Sequence, residues 1–329
     1  MPMTAKRARA RAGAVIAACA LMLPAGCGGG SDVAAVASGA ATAGATATPA
    51  ARDLSSYDVY VQGNAENNPL FQDVYGIRFN PFTVDRITTD KRISWLAADG
   101  ARVMVAAGDE DIDKLGQLTG SGEVLPIPGL GRPHAYSPAL LDGVMYYDDA
   151  QGDESAGENR YFAWNLAKRT KTLLFSSKAD LGPGLPAAGG RLVLGGPGKP
   201  GHSETVIRSK TGKLTRFDLK TDAGNSFVGR DLIAVNTLET VSGKEDVDGF
   251  VLLDPSTGNV KRVAGYQILC WSPDGLRLLA RRSGDAKKTQ LVLLDPSHPD
   301  APTELHDIPG LVLFGASWVR GAPAVDQAG

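Results

Sequence analysis

The chain is 329 residues long and carries 34 Lys and Arg against 36 Asp and Glu, which gives a formal net charge of −2. Without the four basic residues of the first segment, 30 basic residues remain against 36 acidic ones, a net charge of −6. A mildly acidic chain lacks the concentrated basic surface that nucleic-acid binding needs, so we expect no nucleic-acid partner.

The first 26 residues have the pattern of an export signal. Basic side chains come first, an apolar run follows from Ala12 to Leu23, and small residues precede Cys27. A basic region, a short apolar region and a small-residue cleavage site are typical of a secretory signal peptide. The apolar run is too short to cross a bilayer as a helix. The sequence therefore predicts that residues 1–26 are removed and that the protein is exported.

The residues around the predicted cleavage site suggest a lipid anchor. Leu23-Pro24-Ala25-Gly26-Cys27 resembles a bacterial lipobox, in which the cysteine receives a diacylglycerol thioether and becomes the new N-terminus. The usual pattern has an aliphatic residue three places before the cysteine, whereas Pro24 holds that place here. The resemblance implies that buried lipid chains on Cys27 hold the protein on the outer side of the bacterial cytoplasmic membrane. The alternative is an ordinary signal peptide in which Cys27 has no role.

The segment after Cys27 predicts a flexible tether. Residues 28–52 are mostly Ala, Gly, Thr and Ser, which cannot bury enough apolar surface to offset the entropy of ordering the chain. We therefore divide the chain into a lipoprotein signal peptide (1–26), a lipidated cysteine with a disordered Ala/Gly/Thr linker (27–56), a folded domain (57–321) and a C-terminal tail (322–329). Only Cys270 then remains in the folded domain, which must be stable without an intrachain disulfide.

The folded part repeats one unit of strands and turns. The clearest copy is Cys270–Gly275 followed by Leu276–Ala280, which predicts a strand, a tight turn set by Pro, Asp and Gly, and a second buried strand. We expect Trp271 to pack between units and Asp274 to hold the turn. Steps of 40 to 46 residues separate the related turn glycines, Gly100, Gly143, Gly189, Gly229, Gly275 and Gly321. Such a period, made of short strands and turns, is typical of β-propeller blades.

Each unit continues with a third strand, a polar turn and a fourth strand, most clearly over residues 250–263. The last copy, near Ser317–Val319, has only a first strand, whereas residues 57–87 supply three strands. Joining the two ends completes a sixth blade and removes exposed sheet edges. The sequence thus predicts an all-β, six-bladed β-propeller of four-stranded blades, closed by strands from both termini. We number the blades 1 (the composite blade), 2 (91–130), 3 (132–176), 4 (184–222), 5 (225–264) and 6 (266–306).

The repeat also resembles a known family. The Trp-Ser-Pro-Asp-Gly turn at residues 271–275, the aliphatic strand after it and the Leu-Leu-Asp-Pro strands at 252–255 and 293–296 resemble the repeats of TolB-like propellers, a WD40-like type. The resemblance is strong in blade 6 and partial elsewhere. It implies the propeller fold. Because the separate domain that precedes the propeller in TolB has no counterpart in this sequence, it does not imply the role of TolB in the Tol-Pal system.

The usual catalytic motifs are missing from the sequence, which contains no nucleophile elbow, His-Glu-x-x-His motif or phosphate-binding loop. The four histidines fall in different blades without metal-ligand spacing, and we expect solvated loop residues at His134, His202, His298 and His306. We predict no catalytic residue. The alternative is an extracytoplasmic enzyme of hydrolase or lyase type, with buried ionisable groups of shifted pKa at the top of the central channel.

The loops between the second and third strands are expected on one face of the ring. Those of blades 2 and 3 are acidic and adjacent, so their charges add into one negative sector, whereas the loop of blade 6 is basic. The candidate partner-binding residues in these loops are Asp109, Glu110, Asp111, Asp113, Asp148, Asp149, Asp153, Glu154, Arg281 and Arg282.

These charged loops have three interpretations. They form a docking surface for a basic partner, they hold Ca²⁺, or they only keep the domain soluble. The acidic spacing does not match a twelve-residue EF-hand loop, and we predict no resident metal or other cofactor apart from this Ca²⁺ alternative. Together the patterns predict a membrane-anchored lipoprotein whose propeller acts as a binding or scaffold module for an envelope protein or polymer.

Overall fold

The described residues fold into β-strands joined by turns and loops. The structure, a computed structural model, describes residues 51–65, 72–89, 91–100, 102–109, 112–133, 135–149, 159–178, 181–182, 184–196, 202–241, 244–283 and 288–319. They belong to one compact unit, Pro49–Gly329, and the other unit, Met1–Thr48, lies outside the described residues. The predictions for the signal peptide, Cys27, the linker before residue 51 and the tail after residue 319 therefore stay predictions.

The described strands number 24. In chain order they are β1 (Val59–Ala65), β2 (Asp73–Phe79), β3 (Phe82–Arg86), β4 (Ile93–Asp99), β5 (Arg102–Asp109), β6 (Ile112–Leu118), β7 (Val124–Leu125), β8 (Ala135–Leu141), β9 (Val144–Asp149), β10 (Asn159–Asn165), β11 (Thr170–Ser177), β12 (Leu185–Ala187), β13 (Arg191–Gly196), β14 (Glu204–Arg208), β15 (Leu214–Asp218), β16 (Ala223–Val228), β17 (Ile233–Val241), β18 (Lys244–Leu253), β19 (Val260–Ala264), β20 (Tyr266–Trp271), β21 (Leu278–Arg282), β22 (Lys288–Leu294), β23 (Thr303–Pro309) and β24 (Leu311–Trp318). Two single-turn 3-10 helices cover Leu54–Ser56 and Ala188–Gly190. Neither of these described helices has the length or apolar character to cross a membrane.

The strands form six antiparallel four-stranded sheets, which confirms the six-bladed propeller. Blades 2 to 6 each use four consecutive strands, from β4–β7 to β20–β23. Blade 1 has the order β24-β1-β2-β3, and its first strand comes from the C-terminal side of the chain. The β24–β1 register runs from Val59 opposite Trp318 to Ala65 opposite Leu311. The predicted closure by strands from both termini is therefore confirmed.

The first strand of each blade contacts the first strand of the next, so β4, β8, β12, β16, β20 and β24 form the inner ring. Apolar side chains fill the space between blades. One cluster joins blades 6 and 1 through residues such as Leu279, Leu293 and Leu313, and another joins blades 5 and 6 around Phe250 and Trp271. Each such side chain contributes roughly 1.5–3 kcal/mol when fully buried, and this packing of blade on blade makes the core.

Antiparallel strands give the propeller two different ends. The turn end holds the first-to-second-strand turns (100–101, 142–143, 188–190, 229–232 and 272–277) and the third-to-fourth-strand turns (80–81, 119–123, 166–169, 209–213, 254–259 and 295–302). The loop end holds the second-to-third-strand loops and the connections from one blade to the next. The described strand ends that flank the predicted charged loops therefore all lie at the loop end.

Local chemistry sets the turn after Trp271 as expected. The Asp274 carboxylate accepts hydrogen bonds from the Ser272 hydroxyl at 2.5 Å and from Leu276 N at 3.0 Å, and Gly275 has a φ of +69°. The indole N–H of Trp271 donates to Phe227 O of blade 5 at 2.9 Å, which confirms packing between blades. The prediction that Leu276 is buried is wrong: its side chain is 50% exposed, because the second strand starts only at Leu278.

Gly229 differs from the other turn glycines. Gly100, Gly143, Gly189 and Gly275 have φ between +60° and +74°, a conformation that L-residues with a side chain rarely adopt. Gly229 is not in this region, but a Cβ on it would lie 2.7 Å from ring atoms of Trp271. Gly229 therefore lies in the predicted turn, but glycine is needed there to leave space for the Trp271 indole and not to adopt a positive φ.

Candidate binding face at the loop end

The predicted charged residues lie at the loop end wherever the structure describes them. Asp109 ends β5, Asp113 lies in β6, Asp148 and Asp149 end β9, and Arg281 and Arg282 end β21. Only the backbone is described for Asp109, Asp113 and Asp149, and the Asp148 side chain is half-buried. The remaining candidates lie outside the described residues, namely Glu110, Asp111, Asp153 and Glu154.

The acidic and basic groups occupy different parts of the ring. Blades 2 and 3, which carry the acidic residues, are neighbours, since β8 contacts β4, β5 and β6. Blade 6 contacts blades 5 and 1 and lies across the ring from blade 3. The two predicted groups therefore lie on opposite sides of the axis, although Lys91, Lys114 and Lys178 lie among the acids of blades 2 and 3, and the second-to-third-strand connection of blade 5 is also acidic in sequence.

The two arginines have different surroundings. The Arg281 Nε donates to the Gln267 side-chain oxygen at 2.7 Å, and its guanidinium carbon lies 5.8 Å from the centre of the Phe314 ring. Gln267 and Phe314 belong to inner strands, so Arg281 lies at the mouth of the central channel. Arg282 instead pairs with Glu304 of the outer strand at 3.2 Å. Most of the charge of Arg282 is thus balanced within blade 6, which the sequence pattern did not reveal.

A buried carboxylate that sequence reasoning missed lies where blade 1 passes into blade 2. The Asp73 side chain is 3% exposed and accepts hydrogen bonds from Arg86 Nε at 3.1 Å, the Thr88 hydroxyl at 2.6 Å and Lys91 N at 3.0 Å. Beside it, the Gln62 side chain donates to the Gln72 side chain and to a backbone oxygen of β4. This polar cluster fixes the connection from β3 to β4.

Other blade-to-blade junctions are held in the same way by a different residue each time. The Asn236 amide donates to Ile268 O at 3.0 Å and accepts from Ile268 N at 2.9 Å. The Thr289 hydroxyl donates to Leu311 O at 2.8 Å, and the Tyr161 hydroxyl donates to Leu181 O at 2.7 Å. Each bond joins one blade to the start of the next, so the loop end is a pre-organised platform.

The shifted pKa values do not outline a catalytic pair in the described part of the chain. Hydrogen bonds within their own turns or connections lower the pKa of Asp53, Asp218, Asp254, Asp274 and Asp295. Burial raises the pKa of the Cys270 thiol, so this cysteine stays neutral and unreactive. Burial also raises the pKa of Tyr60, Tyr75 and Tyr146. None of these groups forms an acid–base pair at the channel mouth, which the enzyme alternative requires.

The histidines and acids give no metal centre among the described residues, where no three His, Cys, Asp or Glu side chains are grouped to hold an ion. The acidic tips on which the Ca²⁺ alternative depends lie outside those residues. The expectation of a solvated loop is wrong for His306, which lies in β23 and stacks on Phe82 of blade 1 with ring centres 3.7 Å apart. His202 pairs with Asp218 at 3.0 Å, and His298 is exposed in a turn.

The six four-stranded blades and their closure by strands from both termini define this chain as a six-bladed β-propeller. No protein-family model matches the sequence, and no curated protein sequence matches it either. Among solved structures, TolB from Acinetobacter baumannii matches with a TM-score of 0.59 at 11% identity over 82% of this chain and 67% of that chain. A chain of the nidogen/laminin complex matches with a TM-score of 0.52 at 14% identity over 79% of this chain and 97% of that chain. The propeller is therefore TolB-like in fold, and at these identities the likeness extends to the fold alone.

Proposed function

We propose that this protein is an exported lipoprotein whose propeller binds an envelope protein or polymer through its loop end. The lipid on Cys27 holds it on the outer side of the bacterial cytoplasmic membrane. The main support for this proposal is the position at which the chain enters the propeller. Arg52 N donates to Gly120 O at 3.0 Å, in the third-to-fourth-strand turn of blade 2, which belongs to the turn end. A propeller anchored through the residues before Arg52 leaves its loop end accessible.

The loop end has two further properties that suit a docking surface. Side-chain hydrogen bonds at the blade junctions, such as those of Asn236 and Thr289, hold its base rigid, so little ordering entropy is lost on binding. Its predicted acidic residues lie in blades 2 and 3, across the ring from Arg281 at the channel mouth. Clustered acidic side chains steer the approach of a complementary basic partner and fix its orientation.

Charge reversal tests the binding face. Cross-linking in native envelope, followed by pull-down, should recover a partner with the parent protein and lose it with Asp109→Lys, Asp111→Lys and Asp149→Lys combined. Half-buried Asp148 is left unchanged to protect the fold. The matched control reverses three exposed acids of the turn end, Glu123→Lys, Asp231→Lys and Asp300→Lys. Equal recovery with both triple variants would remove the loop end as the binding face.

The anchor is tested separately. Cys27→Ser should move the protein from the membrane fraction to the soluble fraction after a high-salt wash, because the lipid chains that bury CH₂ groups are gone. The salt wash removes proteins held only by charge. A Cys27→Ser variant that remains in the salt-washed membrane would show that lipid on Cys27 is not the anchor, whatever the loop end binds.

A further inference from the structure

The turn end of blades 3 and 4 carries a basic sector that the proposed function does not use. The third-to-fourth-strand turns of these two blades expose four basic side chains, Lys168, Arg169, Lys210 and Lys213. In all four turns that these blades place at this end, Asp142 is the one acid. The sector therefore has an excess of positive charge, although the whole chain is slightly acidic.

One contact links the two blades of this sector. The Arg208 guanidinium carbon lies 4.7 Å from the centre of the Phe175 ring, which joins the third strand of blade 4 to the fourth strand of blade 3. Within blade 4, the methylene groups of Lys210 lie 3.7 to 3.8 Å from the Cβ position of Gly190 in the neighbouring turn. The Arg169 side chain instead packs 3.3 to 3.4 Å from the Cβ position of Gly129 of blade 2. The two basic turns therefore share the turn end of neighbouring blades.

Exposed apolar side chains concentrate at the same end of the propeller. Five large apolar side chains are exposed among the described residues. Leu125, Leu214 and Val260 lie in the first two residues of outer strands, where these leave the turn end, and Leu276 lies in a turn. Leu173 lies midway along β11 of blade 3. Leu214 directly follows Lys213, so basic and apolar groups alternate at the surface of blade 4.

The chain also enters the propeller next to this sector. Arg52 is bonded to the turn of blade 2 at Gly120, and blade 2 is the neighbour of blade 3. Only a short stretch of chain separates Arg52 from Cys27, with a reach of order 25–30 Å if it is a random coil. An anchor at Cys27 therefore connects to the propeller at its turn end.

We propose that the turn end of blades 3 and 4 docks on the anionic headgroups of the bilayer. Lys and Arg near a negatively charged lipid surface are attracted to it, and a few exposed Leu side chains enter the headgroup region. This inference rests on one part of the proposed function, the lipid anchor that brings the propeller to a membrane.

Vesicle co-sedimentation of the lipid-free Cys27→Ser protein tests this surface without its anchor. Vesicles of phosphatidylcholine containing roughly a third phosphatidylglycerol should sediment the protein at low salt, and pure phosphatidylcholine vesicles should not. Lys168→Glu, Arg169→Glu, Lys210→Glu and Lys213→Glu combined should weaken the partition at least tenfold. The matched control reverses four exposed lysines at the loop-end side, Lys91→Glu, Lys114→Glu, Lys178→Glu and Lys220→Glu, and should keep the partition within about twofold.

Two results would overturn the inference. One is no sedimentation with the anionic vesicles at low salt, and the other is an equal loss in both quadruple variants, which would reduce the effect to net charge. Thermal melts of each variant serve as the control for folding. The double variant Lys210→Glu, Lys213→Glu provides a milder version of the same test. Because no partner protein and no lipidation are involved, this result is independent of the partner-capture and salt-wash experiments.

Discussion

The two ends of the propeller are built by different chemistry. At the turn end, many short turns are closed by neighbours in sequence, as in Asp274 with Ser272 and Leu276. At the loop end, buried polar side chains bond to backbone far along the chain, as Asn236 does to Ile268. Local bonds recur at the same place in several blades, whereas each long-range bond uses its own residue type. The difference teaches that repeat chemistry shapes a blade, while individual buried groups set how one blade meets the next.

Removal of the buried carboxylate should have the largest effect. Asp73→Ala leaves the Thr88 hydroxyl and Lys91 N without their acceptor inside the protein, and it separates Arg86 from its partner. Loss of one member of a buried ion pair costs 3–5 kcal/mol, and because the Arg86 side chain is 38% exposed we expect the lower value, about 3 kcal/mol. Urea unfolding of the purified domain measures this change.

A matched carboxylate in the same blade provides the control for Asp73. Asp85 pairs with Arg78 at 3.1 Å, and both side chains are more than 30% exposed. Asp85 also accepts a hydrogen bond from the Tyr57 hydroxyl at 3.0 Å, so Asp85→Ala should lower the free energy of unfolding by about 1–2 kcal/mol, still less than Asp73→Ala. Equal losses of unfolding free energy in Asp73→Ala and Asp85→Ala would mean that the buried cluster around Asp73 stabilises the fold no more than an exposed ion pair does.

A pair of asparagines compares the two ends directly. Asn236→Ala leaves the buried Ile268 N and O without partners, which should lower the free energy of unfolding by about 2 kcal/mol. Asn165→Ala at the turn end removes one exposed bond to Lys168 N and should cost about 0.5–1 kcal/mol. Chemical denaturation of both variants gives the two losses of unfolding free energy. A larger loss for Asn165→Ala than for Asn236→Ala would contradict the conclusion that buried side chains at the loop end hold the blades together.

Two glycines show where the turn end departs from purely local chemistry. Gly229→Ala places a Cβ 2.7 Å from the Trp271 ring, so we expect about 1–2 kcal/mol of destabilisation and a change in Trp fluorescence as the indole shifts. Gly100→Ala meets open space and suffers only from its φ of +60°, at about 1 kcal/mol, with the fluorescence unchanged. A fluorescence change of equal size in both variants would argue against the indole contact.

The fold was predictable because its information is local and repeated. The turn glycines, the Asp-Gly and Asp-Pro turns and the aliphatic strands recur with one period, and the incomplete last copy indicated the closure by β24. The junction bonds were not predictable, since Asn236, Thr289 and Tyr161 occupy different strands and share no motif. The predicted charged residues that the structure describes lie at the expected end, but the pairing of Arg282 with Glu304 and the burial of Asp73 depend on which strands become neighbours.

The smallest expected effect concerns the carboxylates that close the third-to-fourth-strand turns. Measuring it in two blades shows whether the same hydrogen bonds stabilise both turns. Asp254 accepts hydrogen bonds from the Ser256 hydroxyl at 2.6 Å, from the Thr257 hydroxyl at 2.8 Å and from Ser256 N at 2.8 Å, and these bonds lower its pKa from 3.8 to about 2. Because the pKa is lower in the folded chain, the carboxylate stabilises the fold above pH 3.8, and this contribution is lost as the pH falls towards 2. The urea midpoint of Asp254→Asn should therefore lie below that of the parent at pH 6 and approach it near pH 2.

Asp295 in blade 6 occupies the corresponding turn and has its pKa lowered mainly by Ser297, whose hydroxyl donates to it and whose N–H donates to it at 2.8 Å. Asp295→Asn should consequently show the same convergence towards the parent at low pH. A midpoint difference that stays constant down to pH 2 in either variant would mean that the charge of that carboxylate does not stabilise its turn. If only one variant converges, the two turns are alike in sequence but differ in the energy that their carboxylates contribute. The hydrogen bonds of the turn end would then not be equivalent from blade to blade.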